Sequence, residues 1–550
     1  MRKCRSGLYI RPKITISLVI IALICTFVTG CGEKDGSGYI FKYDIPVNPR
    51  TLDPQTATGK TEALLIANLF DGLLKVDRNG SVIANIALEY SVSADGLTYT
   101  FMLRDDVYWH YDGDFSVPCT ARDFVFAFRR LFNPAVKSEN APLFYSIKNS
   151  RGVHSGEIPH LDAIGVEAVG DFELIITLEE PNPLLPFLLT TSPAMPCNEE
   201  LFNKTEGRYG LNDKSIPSNG AFFISRWNFD PFSSNNNIII MRRNEKNSEA
   251  EMIYPRGLNF FIGYHDPLEH LLENTVQALI TEGEDAEFLM SRNYPYDGYE
   301  NIVWGIAFNT GARRVFRNED LRFALAAAID RSAVNIKKNG WREARDVIPP
   351  IINHTGEPYR VLAGEAGIIE FRPEEARVAY ERGAVAVGRE NLTGLRVIIP
   401  ADATNTAHEY LSRILQHWQV NLGFFCSIQT LSEDDFASAL AAGEYDIAMT
   451  RLTGEYNSPD AYLSRFGGAI RRSTPAPASA FNELLSEARR TTDTEESARL
   501  FKQAETLLLE QAVFIPICYQ TEMFFYNRRS EGLIYNPFTG AVIFREAKWF

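Results

Sequence analysis

The chain has 550 residues, with 55 lysines and arginines against 70 aspartates and glutamates, a formal net charge of −15. That acidic balance speaks against nucleic acid as a partner, since a phosphate backbone is met by a basic face. With 45% hydrophobic residues the chain is composed like a packed globular protein, and its length exceeds one ordinary core, so two or three domains are expected.

At the N terminus, Arg2, Lys3, Arg5, Arg11 and Lys13 form a basic start without an acid, and residues 14–30 carry no charge. A positive stretch, an apolar run and small residues at a boundary describe an export signal. The run is short for a membrane span, which needs ~20 apolar residues. Cys31, directly after Val28-Thr29-Gly30, makes the segment resemble the lipobox of bacterial lipoproteins. That resemblance implies cleavage after residue 30, acylation of Cys31, and a membrane-anchored protein facing the extracellular or periplasmic side. A lipid on one residue holds a membrane while the fold stays in water. Loss of residues 1–30 removes five basic and no acidic residues, which leaves 50 against 70, or −20.

Residues 32–38, "GEKDGSG", read as a flexible polar tether. The alternation of Leu97, Tyr99, Phe101 and Leu103 predicts a half-buried strand over 97–104, entered from an Asp95-Gly96 turn. Thr120 then caps a helix in which Phe124, Ala127, Phe128 and Leu131 share a face, and Asn133-Pro134 ends it. A second strand is expected over 173–180, stopped by Pro181. The stretches 228–237 and 471–480 read as surface loops. Asn318 caps a helix expected over 318–331, with Leu321, Ala324, Leu325, Ala328 and Ile329 on one face. Residues 481–510 read as a helical pair, with stripes Phe481, Leu484, Leu485, Ala488 and Leu500, Ala504, Leu507, Leu508. Strands and helices mixed in this way point to α/β lobes with the chain crossing between them.

Catalytic signals are sparse. "ATGKT" (57–61) lacks the glycine that a phosphate loop needs five residues before Gly59, where Pro54 stands. In "HDPLEH" (265–270), His265 and His270 are five apart instead of the four that a helical metal pair uses, so a solvated face is expected. No G-x-S-x-G elbow occurs. Cys119, Cys197, Cys426 and Cys518 have no Cys-x-x-Cys spacing, and free thiols and a disulfide both remain open. Aromatics reach 12%, which suits a wide pocket that binds by stacking and burial. The chain reads as a binder, not an enzyme, without cofactor or metal.

Several separated blocks resemble the extracellular solute-binding proteins, family 5, that serve ABC importers of peptides, nickel and related solutes. They are "PRTLDPQTA" (49–57), "NLFDGLLKVDRNG" (68–80) and the long run from "SADGLTYTF" to "RRLFNP" (93–134). "SNGAFFISRWN" (218–228), 308–334, "YDIAMTRLTGEYNSPDAYLSRF" (445–466) and "AETLLLEQAVFIPICY" (504–519) follow in family order. The resemblance implies a two-lobed periplasmic-binding-protein-like α/β fold of class II, with the ligand cleft at a hinge. Residues 31–70, about 196–302 and 519–550 would form the first lobe, 71–195 a domain inserted in it, and 303–518 the second lobe.

The same resemblance supplies a site. In oligopeptide-binding members the segment like 449–457 runs beside the peptide as a strand, and an aspartate before Tyr-Asn pairs with the peptide α-ammonium. Here Glu455 holds that position, followed by Tyr456 and Asn457, while Arg451-Leu452 replaces the usual Gly-Trp and Thr453 follows. The resemblance thus implies a monomeric receptor for peptides, working with ABC permease subunits. A peptide or pheromone sensor without transport, or a receptor for a nickel chelate, are the alternatives.

Overall fold

The computed structural model describes residues 38–550 apart from 79, 234–235, 264–265, 312–313 and 468–477. The signal segment 1–30, Cys31, the tether up to residue 37, His265 and most of the 471–480 loop lie outside the described residues.

Two α/β lobes are built on separate sheets. In the first, Ile40–Ile45 pairs in parallel with Gly257–Ile262, which continues antiparallel to Ile238–Arg243 and Phe222–Asn228. A second, wholly antiparallel sheet runs Ala87–Val92, Thr98–Leu103, Glu173–Thr177, Val166–Ala168. Tyr99, Phe101 and Leu103 are buried as their alternation requires. The expected second strand ends at Thr177 because Leu178 bridges to Ile147 instead. Helix Ala121–Phe132 packs on this sheet and starts at a reciprocal capping box of Thr120 and Asp123. Both sheets share one apolar core, which includes Phe41, Phe70, Phe101, Trp109 and Phe124.

The other lobe carries a seven-stranded mixed sheet ordered Ala278–Thr281, Phe514–Tyr526, Tyr296–Phe308, Ile447–Thr453, Arg396–Pro400, Ser427–Leu431, with Trp341–Glu343 also on Phe514–Tyr526. It is covered on both faces, so residues 302–308 and 514–519 of its long strands are buried and form nearly continuous apolar runs. Ile302, Trp304, Ile306 and Phe308 face helices Glu319–Ala327, Pro373–Val387 and Asn405–Leu422. Val303 and Ala307 face the opposite core, with Tyr462, Phe481 and Phe501 from helices Pro459–Gly467, Ala478–Arg490 and Thr494–Glu510. At Gly305, beside a register shift, a Cβ would lie 2.2 Å from Phe514 Cζ, so only glycine fits.

Strands Tyr296–Phe308 and Phe514–Tyr526, 13 residues each, connect the lobes. Phe524 belongs to the first lobe's core, whereas Ile515, Ile517 and Cys518 belong to the second's. The C-terminal hairpin, Ile534–Asn536 with Ala541–Ile543, returns to helix Lys60–Leu69, where Asn68 Nδ2 donates to the Val542 carbonyl at 2.8 Å.

Two expectations are corrected. The helix expected over 318–331 stops at Ala327, because the Asp330 side chain accepts from Ser332 and Ala333 N–H and starts a new short helix, Arg331–Val334. His270 is not on a solvated face. Its helix, Pro267–Leu272, lies against the edge strand Ile40–Ile45, and its Nδ1 sits 2.9 Å from Asp44 Oδ2. Burial raises the Asp44 carboxyl, with the His270 charge and hydrogen bond opposing.

A candidate binding cleft between the lobes

Strand Ile447–Thr453 places Leu452 opposite Val303 and Thr453 opposite Ile302. Its other edge pairs with Arg396–Pro400 only at Ile447 and Ala448, so among the described residues no strand covers that edge from Met449 to Thr453. The chain then leaves the sheet at Gly454, where a Cβ would meet the Tyr462 ring at 2.7 Å. That sharp exit delivers Glu455, Tyr456 and Asn457 to the boundary between the lobes.

Tyr456 packs against the cores of both lobes. Its hydroxyl donates to Asp460 Oδ2 at 2.6 Å, and Arg489 Nε donates to Asp460 Oδ1 at 2.7 Å. Burial first, and then the Asp460 charge, push the Tyr456 phenol well up, so it stays a neutral donor. The Asp460 charge in turn raises Arg489. Asn457 Oδ1 accepts from the Asn353 N–H at 2.8 Å. Glu455 has a side chain 55% exposed and lies 3.1 Å from Arg465 Nη2. Such an open pair is worth ~1 kcal/mol or less, so a ligand cation can compete for it.

Glu455, Tyr456 and Asn457 together border a cavity of about 170 Å³. Val76 and Phe187 wall it from one lobe and Ile351 from the other, with Tyr299 and the C-terminal Tyr535 and Phe538 closing it. A cavity of about 550 Å³ lies on the other side of Tyr456, between Tyr145 and Asn182 of one lobe and Asp460 and Arg489 of the other. Voids of about 390 Å³ and about 570 Å³ meet the first at Arg78. The first two spaces are walled from both lobes, whereas the void of about 390 Å³ is lined by the first lobe and the C-terminal hairpin alone.

The expected residues divide at Gly454. Glu455, Tyr456 and Asn457 come together at the cavity, whereas Arg451, Leu452 and Thr453 line none of these four spaces. Arg451 turns to Asp402 at 2.9 Å and Glu433 at 3.7 Å. Leu452 packs into the second core. The reading of the sequence missed Phe187, Tyr299, Ile351, Tyr535 and Phe538. They span the chain without a local pattern, and only the returning C-terminal hairpin signals its part, through Asn536 and Gly540 turn chemistry.

The four cysteines are free thiols, and Cys119, Cys197 and Cys518 are buried. Burial raises Cys426 to about 12 and the others also upward, so none supplies a thiolate near neutral pH. Among the described residues no three His, Cys, Asp or Glu side chains gather where a metal ion could be held.

The two-lobed α/β fold with an extra antiparallel sheet resembles the periplasmic-binding-protein fold of class II. The chain belongs to the bacterial extracellular solute-binding proteins, family 5, whose model matches residues 81–473. Members of this family are non-catalytic components of transport systems. The chain is 25% identical over 559 residues to the oligopeptide-binding protein OppA of Bacillus subtilis (strain 168), covering 96% of this chain and 98% of that one. Among solved structures, peptide-bound OppA of Listeria monocytogenes superposes with a TM-score of 0.73 at 22% identity, over 93% of this chain and 99% of that one. The pheromone receptor PrgZ does so with 0.75 at 21% identity, over 93% and 100%.

Proposed function

We propose that the protein is a lipid-anchored receptor that captures peptides between its lobes and delivers them to the permease subunits of an ABC importer, acting as a monomer. The observation that carries this reading is the cavity bordered by Glu455, Tyr456 and Asn457 and walled from both lobes. The Glu455 carboxylate is the proposed partner of the peptide α-ammonium, exchanging Arg465 for the ligand cation. The uncovered strand edge at Arg451, Leu452 and Thr453 offers backbone groups to an extended peptide, which holds any sequence alike. Arg451 itself serves by fixing the strand end through Asp402. The matching relatives named as oligopeptide-binding support the ligand class.

In this reading residues 31–70, about 196–302 and 519–550 form the lobe into which 71–195 is inserted, and 303–518 form the lobe that closes on it. The hinge is the pair of long connecting strands, and closure is driven by the ligand's extra contacts in the closed state. Cys31 is the acylated N terminus, tethered by 32–38 on the outer side of the membrane.

Mass spectrometry of the full-length protein extracted from membranes tests both halves. The N-terminal fragment is expected to begin at an acylated Cys31, and denaturation is expected to release peptides. An N terminus still carrying 1–30 would remove the anchor. Release of metal chelates, sugars or bile acids alone would remove the peptide. A second reading, a peptide sensor without transport, draws on the fold-level likeness to the pheromone receptor. Genes for two permeases and two ATPases beside this one would favour transport.

A further inference from the structure

Gly38 stands seven positions after Cys31 and leads into strand Ile40–Ile45 of the first sheet. Basic and aromatic side chains gather at that point. Gly38 N–H donates to the Tyr254 carbonyl at 3.0 Å, and a Cβ on Gly38 would lie 3.3 Å from Arg256 Cδ. Tyr39 stacks on Trp549 with ring centroids 4.9 Å apart. Arg529 lies over the Trp549 ring at 4.9 Å, Lys548 over Tyr254 at 4.1 Å, and Arg528 over Tyr294 at 5.7 Å. Phe550 beside them is 53% exposed. Arg529 also donates to the Phe550 oxygen. Glu531 stands across a strand pair from Lys548, yet among the described residues no aspartate or glutamate forms an ion pair with Arg256, Arg528, Arg529 or Lys548. A cation set over an aromatic ring keeps its charge in water while the ring offers apolar surface, a combination that suits the headgroup layer of a bilayer.

Resting on the anchored reading above, we infer that this face of the first lobe docks on the membrane that holds Cys31, its cations meeting anionic phospholipid headgroups. Charge and reach both select the membrane. Without residues 1–30 the chain carries −20, so a face whose cations lack carboxylate partners is where an anionic surface can approach. That attraction acts within a Debye length, about 8 Å at physiological salt. Seven residues span at most ~25 Å even when fully extended, so a lipid on Cys31 keeps Gly38 and its neighbours within that distance of the bilayer. The opposite end of the same sheet, where Phe232 is 97% exposed, lies beyond the six residues of strand Ile40–Ile45, ~20 Å further along. Docking by this face holds the first lobe still, so that closure becomes a swing of the second lobe.

Hydroxyl-radical footprinting read by mass spectrometry tests this on residues 31–550, coupled through the Cys31 thiol to a maleimide lipid in vesicles. The coupling replaces native acylation, so the outcome does not depend on whether cells acylate Cys31. Burial pushes the Cys426 thiol up to about 12, which keeps it from competing. On vesicles containing phosphatidylglycerol, oxidation of Trp549 and Phe550 is expected to fall roughly threefold or more against the uncoupled protein, with Phe232 unchanged. Vesicles of phosphatidylcholine alone are expected to give no such protection. Arg256→Glu combined with Lys548→Glu is expected to remove the protection while leaving the urea unfolding midpoint in place, which reports a folded variant. Equal protection on phosphatidylcholine, protection that survives the double charge reversal, or protection of Phe232 instead would overturn the inference. Footprints identical to those of the uncoupled protein would overturn it as well. Each of these results leaves the acylation of Cys31, read from the N-terminal fragment, standing.

Discussion

His354 shows how much one side chain can contribute to the pH response of the fold. It is 2% exposed, neither ring nitrogen has a hydrogen-bond partner among the described residues, and Phe501 meets it edge-on at 5.5 Å. Burial lowers it to about 4, with Asp460 opposing. The unfolded chain therefore binds a proton below its ordinary value of about 6.5 that the folded chain refuses until about pH 4. Stability falls as pH falls through that window, by up to ~1.4 kcal/mol per pH unit for one such proton, and no such loss occurs above it. His110, also lowered to about 4 by burial, acts in the same sense. His354→Phe is expected to shrink the stability loss between pH 7 and 4.5, measured by urea unfolding at each pH. An unchanged loss would show that His354 is not the proton site. Nothing in the sequence around His354 announces this, since burial without a partner is a property of the packing. Glu455, by contrast, was legible from its block, although its partner Arg465 was not, because a helix turn carries that arginine back to it.

Among elements, those whose signals are local were read correctly. Helix Ala121–Phe132 carries its cap, its stripe and its stop within 15 residues of sequence, and Asp123 adds what no pattern shows by accepting from Trp109 Nε1 at 3.0 Å. The helix expected over 318–331 failed at one residue, where Asp330 offered the backbone a competing cap. The helical pair was legible as two stripes, but not the buried acid on its second member. Glu505, fully buried on Thr494–Glu510, accepts from Val347 and Ile348 N–H at 2.9 Å each and pairs with Arg360 at 2.7 Å. It ties that helix to the loop leading to Ile351. Glu505→Ala strands a mostly buried guanidinium and two amides, which is expected to cost about 3–5 kcal/mol. A urea midpoint change equivalent to less than about 1 kcal/mol would mean that water replaces the carboxylate.

At the scale of the whole molecule, the mixed strands and helices pointed to α/β lobes, and the class II type of fold came only through the resemblance of the family blocks. Composition and periodicity gave α/β elements without saying which sheet each joins, because pairings such as Ile40–Ile45 with Gly257–Ile262 link residues over two hundred positions apart. The cavity depends on the same long-range returns, with walls from Val76 to Phe538. What the lobes together can do, and neither can alone, is strip water from an ion pair. In the proposed reading an exposed Glu455 is a weak partner until closure over a bound peptide makes the ammonium–carboxylate contact strong. Calorimetry on the protein lacking residues 1–31, combining unaltered or Glu455→Gln protein with free or N-acetylated peptide, tests that account most directly. Either change alone is expected to cost ~2–5 kcal/mol, tens- to thousands-fold in affinity. Both together are expected to cost little more than one, since they remove the same contact. Fully additive losses, or indifference of the unaltered protein to acetylation, would contradict the claim that Glu455 receives the peptide N terminus.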